Sequence, residues 1–84
     1  MAAMRNRRKT SKTPTVKQVL VALGLRIRQN RRRLGFTQVS LARRVRLSAN
    51  FVAHLERGSR GPSVETLVTL ARAFGVPVHA LLKP

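Results

Sequence analysis

The sequence contains no cysteine, no tryptophan and no tyrosine, and its only acidic residues are Glu56 and Glu65. Without cysteine there are no disulfides and no thiolate metal sites, and a cytosolic setting is natural. Two acids, two well-separated histidines (His54 and His79) and no glycine-rich phosphate loop leave no acid–base pair, no metal cluster and no nucleotide cradle. The expectation is therefore a non-enzyme with no metal and no cofactor. Three phenylalanines are the only aromatics, too few to anchor an amphipathic helix at a membrane, so no membrane partner is expected. The apolar run Val19 to Leu25 follows Arg5, Arg7, Arg8 and Lys9 as a targeting peptide would. It is minimal, ends on Arg26 and Arg28 and has no small-residue cleavage site, so it reads as part of the folded chain.

What the sequence has in excess is positive charge. Eighteen Lys and Arg against two acids give a formal charge of +16, which must seek polyanions, and nucleic acid is the leading one. In 84 residues, 43% of them hydrophobic, one compact domain can be built without staples.

Residues 1–15 carry Arg5, Arg7, Arg8, Lys9 and Lys12 among polar residues without apolar periodicity, the composition of a disordered basic arm. Its charges are expected to meet phosphate or a groove, or else to serve as a solubility tail. Residues 16–84 read as an all-α domain of five helices. Val16, Val19, Leu20, Leu23, Ile27 and Leu34 form one long stripe, capped by Thr13 or Thr15 beside Pro14, interrupted weakly by Gly24 and closed at Gly35. Thr37 caps a second, two-turn helix with Leu41, Ala42 and Val45 inward. After the turn Arg46-Leu47, Ser48 caps a third helix that runs to about Arg57, buries Val52 and Leu55 and stops at Gly58. Ser63 opens a fourth helix with Glu65 in its first turn and Leu67, Leu70, Ala71 and Phe74 inward, ending at Gly75. Pro77 suits the first turn of a short fifth helix that delivers Val78, Leu81 and Leu82 to the core.

Two short helices joined by a tight turn, flanked by packing helices in a basic domain, form the arrangement that offers the second of the pair to the major groove of DNA. The residues are Leu23-Gly24, Ile27, Leu34-Gly35-Phe36-Thr37-Gln38, Leu41-Ala42, Ser48, Val52, Leu55-Glu56-Arg57-Gly58, Pro62-Ser63, Glu65-Thr66-Leu67, Leu70-Ala71 and Phe74-Gly75-Val76. Over roughly residues 23–82 this pattern resembles the phage-repressor, or lambda-repressor-like, helix-turn-helix family.

The resemblance implies a sequence-specific, repressor-like regulator that binds double-stranded DNA as a homodimer in a bacterial or phage cytoplasm, with residues 48–57 as the recognition helix. It implies that Gln38 touches phosphate and braces that helix, and that Ala49, Asn50, Phe51 and His54 face base edges. Asn pairs bidentately with adenine, Ala and Phe pack on a thymine methyl, and His donates to guanine or to phosphate. Phe51 has an alternative place in the core, and His54 as an indifferent surface residue. Ser48 would cap and touch phosphate, Arg43, Arg46 and Arg60 would hold the DNA backbone, and Arg31 and Glu56 would form a buried ion pair. The dimer surface would be Phe74, Val76, Pro77 and Val78, or else Val16, Val19, Leu20 and Val21. Val39 and Ser40 stand where the family commonly has acids, which should remove a capping box and also a repulsion from phosphate. Ala49 reads poorly, which shifts specificity toward DNA shape or the arm. Two other readings stay open: an antitoxin-type regulator that also binds a protein such as a toxin, and a sequence-indifferent nucleoid binder.

Overall fold

Thr15 starts the first helix because its hydroxyl accepts the Gln18 N–H at 3.1 Å while the Gln18 side chain accepts the Thr15 N–H at 2.9 Å, a reciprocal box that satisfies two otherwise orphaned donors. The computed structural model describes residues 13–83, so the expectations for Arg5, Arg7, Arg8, Lys9 and Lys12 lie outside the described residues. Five helices follow in order: α1 (Val16–Arg33), α2 (Gln38–Val45), α3 (Ala49–Arg57), α4 (Val64–Phe74) and α5 (Val78–Leu82). No strand occurs among the described residues.

Hydroxyl caps begin α2, α3 and α4 as well. Thr37 accepts from Ser40, Ser48 from Phe51 and Ser63 from Thr66, at 2.9 to 3.0 Å. The expected loss of the capping box at α2 is corrected here. Ser40 Oγ accepts the Thr37 N–H at 2.8 Å, because the box needs an acceptor within reach of that donor and not a carboxylate. At α5 a second correction applies: Pro77 is extended (φ −73°, ψ 153°) and stands just before the first turn, not in it.

The core is Leu23 and Ile27 from α1, Leu41, Ala42 and Val45 from α2, Val52 and Leu55 from α3, Leu67, Leu70, Ala71 and Phe74 from α4, and Leu81 from α5. Burial of each large member contributes about 1.5–3 kcal/mol. Three residues assigned to the apolar faces stay outside: Val16 is 77%, Leu34 42% and Leu82 41% exposed. Val16 and Leu82 are the end residues of α1 and α5, and Leu34 is the cap residue just past the end of α1, so none has a further helical turn beyond it to cover it.

α1 packs against α3 and α5, and α2 against α3 and α4, so the α2–α3 pair rests on α1 and α4. The α1–α3 crossing is made possible by Gly24, which is buried. A Cβ there would stand 2.7 Å from the Glu56 carbonyl oxygen and closer still to that of Leu55. The glycine that reads in sequence as a weak interruption is therefore the contact point of two backbones. Gly24→Ala should gain about 1 kcal/mol of helix propensity and lose more than that by forcing α3 away, for a net destabilisation of at least about 1 kcal/mol. Denaturant unfolding measures it, and an unchanged or raised midpoint would refute the close approach.

Candidate nucleic-acid interface

α2 hands over to α3 through Arg46, Leu47 and Ser48. Arg46 has φ 59° and is the one non-glycine residue with positive φ among the described residues. This conformation costs on the order of 1 kcal/mol for a side-chain-bearing residue. It lets the Leu47 N–H bond the Ala42 carbonyl at 2.9 Å, and half-buried Leu47 packs on the core. The turn therefore holds the angle between α2 and α3 while placing an arginine at its apex.

α3 divides its residues by depth. Val52 and Leu55 are buried, Ala49, Phe51, Ala53 and His54 are half-buried, and Asn50 and Arg57 are exposed. Of the residues expected to face bases, Asn50 thus stands fully on the surface, whereas Ala49 and Phe51 also pack against the core. His54 and Phe51 are both tied to the segment that follows the helix. His54 Nδ1 lies 2.9 Å from Ser59 Oγ and 3.3 Å from Arg57 Nη2, and the Arg60 guanidinium carbon lies 5.3 Å from the centre of the Phe51 ring. Arg43 in the last turn of α2, Arg46 in the turn and Arg60 after α3 are all exposed. Ser48, also exposed, accepts from the Phe51 N–H and still carries a proton to donate.

Beneath this surface lies the Glu56 carboxylate, its side chain only 4% exposed. Oε2 accepts from Arg31 Nε at 2.5 Å, and Oε1 accepts from Arg31 Nη2 and from Gln38 Nε2, both at 3.1 Å. Arg31 Nη1 donates to the Phe36 carbonyl at 2.9 Å. One bidentate pair thereby joins α1, the α1–α2 loop, the first residue of α2 and the end of α3. No buried side-chain nitrogen or oxygen among the described residues lacks a partner. Sequence reasoning missed Ser59 and Arg57; the spacing of Arg57 three residues after His54 on one helix face was the available signal for the latter. Of the residues expected at a dimer surface over 74–78, Phe74 is 2% exposed and belongs to the core, Val76 and Val78 are half-buried and pack against it, and Pro77 is exposed.

These features define a helix-turn-helix module with an arginine-framed outer helix. Residues 27–81 match the family described as helix-turn-helix, and the chain belongs to that family, in its phage-repressor-like form. It is 38% identical over 58 residues to the HTH-type transcriptional regulator DdrOP3 of Deinococcus deserti, covering 69% of this chain and 45% of the relative. It is 37% identical over 62 residues to the immunity repressor protein of Bacillus phage phi105, covering 74% of this chain and 43% of the relative. The chain thus spans less than half the length of these curated relatives. Among solved structures, the restriction-modification controller protein C.AhdI from Aeromonas hydrophila superposes with a TM-score of 0.70 at 34% identity, over 74% of this chain and 94% of that one. At the level of the family these are regulators and not enzymes.

Removing one partner from the Arg31–Glu56 pair leaves the other charge buried. Glu56→Ala should cost about 3–5 kcal/mol, whereas replacing both residues with apolar side chains of similar volume should cost much less. Thermal unfolding of the single and double variants checks this. Equal losses for both would remove the pair as the reason Glu56 matters.

Proposed function

We infer that the chain is a DNA-binding transcriptional regulator, repressor-like, that lays α3 in the major groove of duplex DNA. Asn50 exposed on α3, with Arg43, Arg46 and Arg60 exposed on the segments to either side, is the observation that carries this reading. In it Asn50 reads adenine, Ala49 and the outer edge of Phe51 meet a thymine methyl, and His54 meets guanine or phosphate. Ser48 and the three arginines hold phosphates and set register without reading sequence. Gln38 at the start of α2 has a double duty, bracing Glu56 with its amide and touching phosphate at the mouth of the groove. The immunity repressor protein and the HTH-type transcriptional regulator named above support the regulatory reading. A regulator of this bacterial or phage type works on cytoplasmic DNA.

On a duplex selected from random-sequence DNA, Asn50→Ala should lose about 1–3 kcal/mol and lose little on bulk DNA, while Arg43→Ala should weaken both alike. Equal losses on both DNAs for Asn50→Ala would leave α3 without a base reader and favour sequence-indifferent binding.

The homodimer of this reading uses Val76, Pro77 and Val78 at the α4–α5 junction. Footprints on the selected duplex should then show two half-sites about 34–36 Å apart on one face. A single half-site held by one chain, with no dimer in solution, would overturn it.

A further inference from the structure

The first three turns of α1, residues 16–26, precede the residues that match the family, and they do not stand free of the domain. Leu20 and Val21 lie along the segment 58–61 that follows α3. At Gly58, with φ 74°, a Cβ would stand 2.9 Å from Val21 Cα and 3.1 Å from Val21 N, so the backbones of α1 and of this segment touch there. At Gly61 a Cβ would stand 2.8 Å from Leu20 Cδ2. Two glycines three residues apart thus admit α1 against the loop, one on each side of Arg60. The loop's other anchors come from α3: the Ser59 hydroxyl donates to the His54 carbonyl at 3.2 Å and lies 2.9 Å from His54 Nδ1, and Arg60 lies over Phe51.

We propose that Leu20 and Val21 are positioning residues for DNA binding: they clamp residues 58–61 against α3 and so fix the Arg60 guanidinium over Phe51, at the height of a phosphate beside the groove. This rests on the DNA-binding reading above. The clamp also assigns α1's leading turns a role inside the protomer. Leu20 is half-buried against the loop and is absent from the central core, so its truncation loosens the loop without opening the domain. Arg60 is exposed and carries a long side chain with large rotamer freedom, which a ring contact at 5.3 Å alone restrains weakly. Holding the loop backbone on both sides of Arg60 from α1 fixes the point from which that side chain starts, so the segment is ordered before the DNA arrives, and pre-ordering of this kind raises affinity without a new contact.

The experiment is a cycle of Leu20→Ala, Arg60→Ala and the double variant in the full chain, with affinity for a duplex selected from random-sequence DNA measured against salt. Arg60→Ala should lower the log–log salt slope by about 0.9, the value of one phosphate contact. Leu20→Ala should lower the affinity at every salt concentration while leaving that slope near the parent's and its unfolding transition cooperative, and the double variant should lose no more affinity than Arg60→Ala alone. Additive losses of affinity in the double variant, or a Leu20→Ala affinity equal to the parent's, would overturn the clamp. If the parent chain shows no salt-dependent preference for any duplex, the DNA-binding reading fails instead, and the two failures are distinguished by that control.

Discussion

A single carboxylate holds the two halves of the helix-turn-helix to the helix beneath them. Glu56 takes three donors from two side chains, Arg31 and Gln38, and Arg31 Nη1 donates to the Phe36 carbonyl. Backbone packing alone would leave α3 able to slide along α1, because apolar contacts are non-directional. A bidentate guanidinium–carboxylate pair is directional in distance and in plane, so it fixes the register at which Gly24 meets the Leu55 and Glu56 carbonyls. The net stability from such a pair is small after desolvation. Its contribution is to single out one orientation of α3 among several that the hydrophobic residues would tolerate. Gln38 extends this from α1–α3 to α2, which ties the angle across the Arg46 turn to the same carboxylate.

Much of this was legible in the sequence, and the reasons differ from element to element. Helix limits were readable because caps are local: a hydroxyl three residues before its N–H partner, or a glycine that takes positive φ, needs no knowledge of the tertiary structure. Inward faces were readable because Leu41, Ala42, Val45, Val52, Leu55, Leu67, Leu70, Ala71 and Phe74 follow helical spacing. What failed were places where burial depends on which neighbour is present. Val16, Leu34 and Leu82 fit the spacing but lie at ends where nothing covers them. Gly24 looked like a weak point of α1 because propensity is a property of one helix, whereas its function requires a second backbone. The surface chemistry of α3 divides in the same way. Asn50 is exposed by its position on the helix, but the attachment of Phe51 and His54 to residues 59–60 is made across a loop whose path no periodicity encodes.

The charge balance connects the fold to its partner. With a formal charge of +16 in 84 residues and Glu56 committed to Arg31, little negative charge is left to offset the exposed arginines. Such an excess strains the compact state through self-repulsion, and salt relieves that strain by screening over about 10 Å at 0.1 M. A polyanion that prefers the folded state relieves it more effectively, because its charge is placed locally. By linkage, under the DNA-binding reading, a duplex that bound the folded state alone and stood at one hundred times its dissociation constant would add about 2.7 kcal/mol to folding stability, a large share of what a single small domain commands. The arginines around α3 therefore burden the free protein and stabilise the bound one. Glu56 is an acid the fold can keep under that excess because it is buried and already neutralised by Arg31, which under the DNA-binding reading leaves it little charge with which to repel phosphate.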